Sequence, residues 1–304
     1  MRPQTFDDFV GQDDVCNQLR VALDAAKRRD DVIDHVLLAG PKGLGKTTIA
    51  KIVANTLGTK CVETIASVLK SPQDVITSLV HLKRGDVLFI DEIHALPLVV
   101  QEYLYTAMED YAISTIFGTQ QRRAIRIDLK KFVLIGATTM EGMVSGPMLD
   151  RFGIVCRLRP YAERHLVQIL QAQAKKDHWT VVPQTLEMIA SRSRATPRIA
   201  LRLLRRVRDM CHDGVISVTA VKQTFVMLGI SEHGLTHDDR SVLRVLSEHE
   251  EGAMGADQLS AITNISRQTL EQIVEPHLLR CGFVRRTPRG RKITAKGMAV
   301  VRRL

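Results

Sequence analysis

Apolar positions along the 304-residue chain follow two periods. Unbroken apolar runs at Val36–Ala39, 87–90 and 132–137 predict strands buried on both faces. Stretches with apolar residues three and four apart, at 47–57, 72–82 and 99–110, predict helices. Strands alternating with helices make a parallel sheet covered by helices, an α/β core. Ahead of it, 6–28 carries helical spacing (Val15, Leu19, Ala22, Leu23, Ala26) after a turn at Gly11-Gln12. Two extended stretches, 112–117 and 123–127, flank Gly118-Thr119-Gln120-Gln121-Arg122 and predict a β-hairpin inserted near 112–127. From about 163 to 228 the strands cease and helical periodicity takes over, broken by Gly214. A third unit begins near Thr236. It reads as helices at 238–246, 256–262 and 266–279, the last capped by Ser266, then extended stretches at 283–287 and 292–294 around Pro288-Arg289-Gly290. Three helices and a hairpin is the order of a winged helix. The boundaries expected are therefore 1–162 for the core, 163–235 for a small all-α unit and 236–304 for the winged helix.

Composition narrows the class. With 45% apolar and 25% charged residues the chain reads as an ordinary soluble globular protein. No apolar run approaches the length of a membrane span, and the start lacks the apolar core of a signal peptide, so a cytoplasmic location without a membrane partner is expected. Five scattered cysteines without a C-x-x-C pair argue against a disulfide framework and a zinc site. The net charge of +10 points to a nucleic-acid partner. Charge alone does not separate DNA from RNA or from an acidic protein.

The chemistry concentrates in Gly40-Pro41-Lys42-Gly43-Leu44-Gly45-Lys46-Thr47-Thr48, between a predicted strand and a predicted helix. A glycine-rich loop in that position points backbone N–H groups inward, where they and the helix dipole hold nucleotide phosphates. Lys46 would reach the β- and γ-phosphates and the Thr47 hydroxyl would ligate Mg²⁺. A second element, 86–94, is an apolar run ending in Asp91-Glu92. At the C-terminal edge of a parallel strand, Asp91 would complete the magnesium shell and Glu92 would polarise the water attacking the γ-phosphate. A strand-end turn is the alternative for this pair taken alone.

The wing carries Arg285, Arg286, Arg289, Arg291 and Lys292, and no acidic residue follows Glu275. Arginines on a protruding hairpin suit phosphate contacts that position a protein on DNA without reading sequence. A solvated basic tail, or a winged helix used for protein contact, are the alternatives. Glu271 and Glu275 on the third helix argue against base readout. The inserted hairpin is either a partner-contact element or an edge hairpin packed on the sheet, and spacing does not choose between them.

The order of these blocks resembles one family. Gly11-Gln12, Asp34-His35-Val36-Leu37-Leu38, the phosphate loop, Leu88-Phe89-Ile90-Asp91-Glu92-Ile93-His94, Ala107-Met108-Glu109-Asp110 and Ile135-Gly136-Ala137-Thr138-Thr139 are similar to RuvB. So are Asp150-Arg151-Phe152-Gly153, Thr196-Pro197-Arg198-Ile199-Ala200 and Arg286-Thr287-Pro288-Arg289-Gly290-Arg291. The resemblance spans nearly the whole chain. It implies an AAA+ P-loop NTPase core, a helical lid and a winged helix, acting as an ATP- and Mg²⁺-dependent helicase-type motor of Holliday-junction branch migration. It also implies a homo-hexamer on duplex DNA in the bacterial cytoplasm, a RuvA-like loader docked on hairpin 112–127 and a RuvC-like resolvase as partners.

Residue by residue, the resemblance gives Thr139, with Thr138 beside it, the sensor role near the γ-phosphate. It makes Arg151 an arginine finger acting on a neighbouring subunit and Arg198 the second sensor. Val10, Gly11, Tyr161 and Pro197 would enclose the adenine; Gly40, Gly43, Leu44, Gly45, Lys46, Thr47 and Thr48 would hold the phosphates; Arg286, Arg289 and Arg291 would meet DNA. Without the family, Arg151 reads equally as a surface ion pair and Arg198 as a helix-start arginine. The chain departs from the pattern at Lys42, where a proline is usual, at Gly146-Pro147-Met148-Leu149, where an arginine is usual, and at the basic hairpin tip 120–123. A clamp-loader-like ATPase and a nucleotide-regulated DNA-binding switch without motor activity are the competing readings.

Overall fold

Strands β1 (Val36–Ala39), β2 (Cys61–Ile65), β3 (Val87–Asp91), β6 (Val133–Thr138) and β7 (Ile154–Arg157) form one parallel sheet in the order β2-β3-β6-β1-β7. The computed structural model describes residues 3–117, 123–211, 214–249 and 252–303. In the three central strands β3, β6 and β1, every residue but Asp91 is buried, as continuous apolar runs covered on both faces require. The two edge strands escape a reading by apolar runs. β2 is half-exposed along its length, and β7 alternates Ile154 and Cys156 inward with Arg157 outward.

Helices α1 (Asp13–Arg28), α2 (Lys46–Leu57), α3 (Pro72–Val80), α4 (Leu98–Asp110) and the short α5 (Gly146–Leu149) belong to the same part of the chain. The first begins at Asp13, directly after the turn expected at Gly11-Gln12. Gly11 (φ 76°) and Gln12 (φ 58°) are left-handed and keep the helix from extending back, while Phe6 and Phe9, in the segment ahead of them, are buried. The Ser71/Asp74 capping box, with Ser71 N donating to Asp74 at 2.9 Å, starts α3 at Pro72. β4 (Ala112–Phe117) and β5 (Arg123–Asp128) pair antiparallel from Ala112↔Asp128 to Phe117↔Arg123, so the inserted hairpin is present. The turn between them, 118–122, which includes all of the basic tip 120–123 but Arg123, lies outside the described residues.

By contact the chain divides into two compact units: Met1–His165 with Thr196–Arg198, and Leu166–Ala195 with Ile199–Leu304. The segments read separately from the sequence as 163–235 and 236–304 share the second unit. That unit holds most of α6 (Glu163–Lys176) and α8 (Pro197–Asp209), with α7 (Pro183–Ser191) and α9 (Val218–Met227). It also contains a two-residue parallel pair that the sequence reading did not expect, β8 (Thr180–Val181) with β9 (Val215–Ile216). Its C-terminal part packs α10 (His237–Glu248), α11 (Ala256–Thr263) and a third, irregular helix around Leu243, Leu259, Leu270, Leu278 and Phe283. The irregular helix runs α12 (Arg267–Thr269), a π-turn Leu270–Val274 and α13 (Glu275–Arg280). Pro276, in the first turn of α13, cannot donate to a carbonyl one turn back, and the wide turn sits directly before it. Ser266 caps the helix, its hydroxyl accepting from Thr269 N. The wing pairs β10 (Val284–Thr287) with β11 (Gly290–Ile293), and α14 (Ala295–Val301) follows. Among the described residues no helix is long and apolar enough to cross a membrane.

Candidate functional site

Adjacent strands β3, β6 and β1 end side by side, and each ends in, or directly before, a residue singled out from the sequence. Gly40 follows β1 and donates its N–H to Thr138 O at 3.0 Å; Asp91 closes β3; Thr138 closes β6. The C-terminal edge of a parallel sheet is where such folds place ligands. Hydrophobic burial of three neighbouring strands thus fixes the backbone from which the polar groups project.

The loop between β1 and α2 fits a phosphate group. Gly40, Gly43 and Gly45 all have positive φ (142°, 83° and 109°). A Cβ on Gly40 would lie 2.7 Å from Leu158 O, on Gly43 2.8 Å from Thr196 Cγ2, and on Gly45 2.8 Å from the Phe9 ring. Only glycine passes here, and α2 starts at Gly45 without a side-chain cap, so its first N–H groups are left for an anion. Lys46 is 7% exposed and donates to Gly40 O at 2.6 Å and Pro41 O at 3.1 Å. Burial pulls its ammonium below the usual range; Glu92 and Asp91 oppose that shift, while Arg198 and Lys42 add to it.

Glu92 is the best-connected carboxylate of the site. Its backbone is left-handed (φ 52°), a conformation a non-glycine residue holds only when its surroundings insist. Its N–H donates to Asp91 Oδ1 at 3.0 Å, and its Oε2 accepts from Thr139 Oγ1 at 2.9 Å and Thr139 N at 3.3 Å. Lys42 Nζ lies 3.9 Å from Glu92 Oε1, and His94 Nδ1 lies 3.5 Å from Oε2 and 3.0 Å from Thr138 Oγ1. The cluster therefore joins Lys42, Asp91, Glu92, His94, Thr138 and Thr139. Sequence reasoning assigned nothing to His94, although it sits two residues after Glu92.

Tyr161 lies against the other side of the loop, its hydroxyl donating to Leu44 O at 3.3 Å, and burial pushes its phenol up. A Cβ on Gly11 would meet the Tyr161 ring at 3.0 Å, so Gly11, Tyr161 and Phe9 converge beside Gly45. Phe9 had no sequence signal beyond its place next to Val10. Thr196 and Arg198 touch the loop at Gly43, which places Pro197 between two loop-contacting residues.

The wing is tied to its own domain. Arg286 Nε donates to Glu275 Oε1 at 2.6 Å, and Arg291 donates to Glu275 at 3.1 and 2.9 Å and to Glu271 at 3.3 Å. The Glu275 side chain is 3% exposed and that of Arg291 16%. Glu275 is thus an internal counter-ion, while Glu271 is 35% exposed; Arg291 is largely buried against the pair, and Arg289 is exposed at the turn.

Family models match the chain in three consecutive pieces: the Holliday junction DNA helicase RuvB P-loop domain over 1–158, the RuvB AAA lid domain over 161–231 and the RuvB C-terminal winged helix domain over 232–302. The chain belongs to the RuvB family. It is 44% identical over 301 residues to the Holliday junction branch migration complex subunit RuvB of Kosmotoga olearia, covering 97% of this chain and 88% of that protein. The subunit of the same name from Thermotoga maritima is also 44% identical, with 97% and 90% covered. A solved structure of the Thermotoga maritima RuvB Holliday junction branch migration motor matches with a TM-score of 0.89 at 43% identity, covering 99% of this chain and 98% of that one. Membership in the RuvB family sets aside the clamp-loader-like alternative.

Arg151 stands apart from the cluster. Its Nη1 donates to Pro147 O at 2.6 Å, Nη2 pairs with Glu109 Oε1 at 3.0 Å, and the guanidinium lies 4.4 Å from the centre of the Tyr105 ring. None of these partners belongs to the phosphate loop or to the end of β3.

Proposed function

We propose that this chain binds and hydrolyses ATP with Mg²⁺ and couples hydrolysis to branch migration on duplex DNA at Holliday junctions, as a helicase-type motor in recombination and repair. The observation that carries the reading is the convergence of Lys46, Asp91, Glu92 and Thr139 at one sheet edge, in a chain whose curated relatives are named branch migration complex subunits.

In this reading Gly40, Gly43, Leu44, Gly45 and Thr48 offer loop and helix-start amides to the phosphates, and Lys46 exchanges its two carbonyl acceptors for phosphate oxygens. Thr47 and Asp91 would hold magnesium, which would neutralise charge that develops during transfer. Glu92 orients the attacking water, with Thr139 fixing its carboxylate. Val10, Gly11, Tyr161 and Pro197 enclose the adenine, and Arg198 reports nucleotide state. Arg151, occupied in its own protomer by Glu109 and Tyr105, serves the nucleotide of the next subunit, so that activity requires a ring; a homo-hexamer is the assembly this implies.

The functional division is a core at 1–162, a lid at 163–235 and a winged helix at 236–304. Arg289 and Arg286 contact DNA phosphates, with Arg291 holding the wing in place. Hairpin 112–127 docks a RuvA-like loader, a RuvC-like resolvase joins at the junction, and the assembly works in the bacterial cytoplasm.

A synthetic four-way junction with movable arms tests the reading. Strand products should form only with ATP and magnesium, and unrelated duplexes should stimulate hydrolysis equally. A protein that hydrolyses ATP on one sequence alone and moves no junction would be a switch, not a motor.

A further inference from the structure

The short segment 192–198 makes contacts at both of its ends. At the far end Thr196 and Arg198 lie against Gly43, where an added Cβ would come within 2.8 and 2.9 Å of them. At the near end Arg194 donates from Nε to Gly234 O at 3.0 Å and from Nη2 to Thr236 Oγ1 at 3.2 Å, and it forms an ion pair with Asp239. Thr236 and Asp239 are the capping box that starts α10, with Thr236 N and Oγ1 donating to Asp239 Oδ2 at 2.6 and 2.8 Å. The Arg194 and Asp239 side chains are 12% and 0% exposed. A buried pair of this kind fixes geometry more than it adds stability, because each charge has surrendered its water.

Between the two ends the backbone is unusual. Arg194 (φ 50°) and Ala195 (φ 53°) are consecutive left-handed residues, and neither is glycine. Such a joint persists only when both sides hold it, and it has few ways to absorb a displacement gradually. Immediately after it, Pro197 opens α8, a rigid element whose first turn carries Arg198. Arg198 thus follows Arg194 by four residues along the chain.

We propose that Arg194 is a positioning residue that links the nucleotide state read by Arg198 to the first turn of α10 through its pair with Asp239. The link rests on the function proposed above. It acts by population shift: a triphosphate favours one setting of 196–198, and the Arg194 fork carries that setting to Thr236 and Asp239. The first helix of the winged segment then changes position or stability with each hydrolysis event.

Amide hydrogen exchange on the full-length protein, with and without a slowly hydrolysed ATP analogue and magnesium, tests this without requiring motor activity. In the wild type the analogue should change exchange of the 236–243 amides by ~3-fold or more, alongside protection of 40–48. Arg194→Met should retain protection of 40–48 and lose the response at 236–243. Arg194→Lys keeps a charge opposite Asp239 but not the fork, and should show a reduced response even if the Met variant fails to fold. An unchanged response in Arg194→Lys, or none in the wild type, overturns the proposal. A wild type that responds at both segments yet moves no junction supports the link and removes the motor.

Discussion

Thr139 Oγ1 donates to Glu92 Oε2 at 2.9 Å, so the hydroxyl just past β6 holds the carboxylate just past β3. The contact orients Glu92 without touching the phosphate loop. Thr139→Val should therefore lower kcat by roughly 10–100-fold while leaving the KM for ATP within about 2-fold. Steady-state hydrolysis measures both. A rise in KM at unchanged kcat would mean Thr139 binds nucleotide instead of positioning the carboxylate.

The wing register makes a stability prediction. A Cβ on Gly290 (φ 128°) would lie 2.3 Å from Met254 O, and that backbone cannot move away, because Met254 and Arg291 exchange N–H···O bonds of 2.8 Å in both directions. Gly290→Ala should cost about 2–4 kcal/mol in chemical unfolding of the second unit. Nucleotide binding should be retained. An unchanged midpoint would show that the Met254 and Arg291 backbones give way without cost.

The central strands and the phosphate loop were legible because a strand buried on two faces leaves an unbroken apolar run, and because glycines at 40, 43 and 45 answer to a backbone requirement. β2 and β7 were not, since an edge strand with half-exposed positions, such as Cys61 to Ile65, carries no such run. Long-range charge pairing was equally hidden. Nothing in the spacing of Glu275, Arg286 and Arg291 reveals that Glu275 is internal, and the same holds for Arg194 and Asp239, 45 residues apart. The residues proposed to hold a nucleotide were named from their chemistry; their connections through His94 and Phe9 required the fold.

Arg289 and Arg291 should behave differently. Removing exposed Arg289 should weaken DNA binding uniformly across sequences and reduce the salt slope of log K by ~0.9, with stability intact. Removing Arg291 leaves Glu275 with Arg286 alone, and should cost about 3 kcal/mol of stability. Salt-dependent binding titrations paired with unfolding curves separate the two. Equal losses of affinity with no loss of stability would return Arg291 to the DNA-contacting set.

Arg151 is engaged by Glu109, Pro147 and Tyr105 within its own protomer, so its catalytic effect should be exerted across a subunit boundary. Arg151→Ala and Lys46→Ala chains, each inactive alone, should regain hydrolysis when mixed in one ring, because the intact loop of the first then meets the intact guanidinium of the second. No regained activity in such mixtures would rule out action in trans.

His277 makes stability depend on pH. Its ring is buried, with Nε2 3.0 Å from His233 O and Nδ1 2.9 Å from the Arg280 guanidinium. A neutral ring protonated on Nε2 donates to the carbonyl and accepts from Arg280; a second proton would set two donors against each other. Burial first, then the Arg194 and Arg280 charges, push its pKa down from 6.5 to about 3. The unfolded chain thus takes up this proton before the folded one does, so the contribution is complete above the unfolded pKa and is lost as pH falls from about 6.5 toward 3. One proton gives a slope of at most ~1.4 kcal/mol per pH unit, or roughly 2 kcal/mol between pH 6.5 and 5. His277→Gln keeps a donor and an acceptor without titrating, and should remove that part of the slope in urea unfolding curves. Parallel slopes for the variant and the wild type over this window would show that another group is responsible.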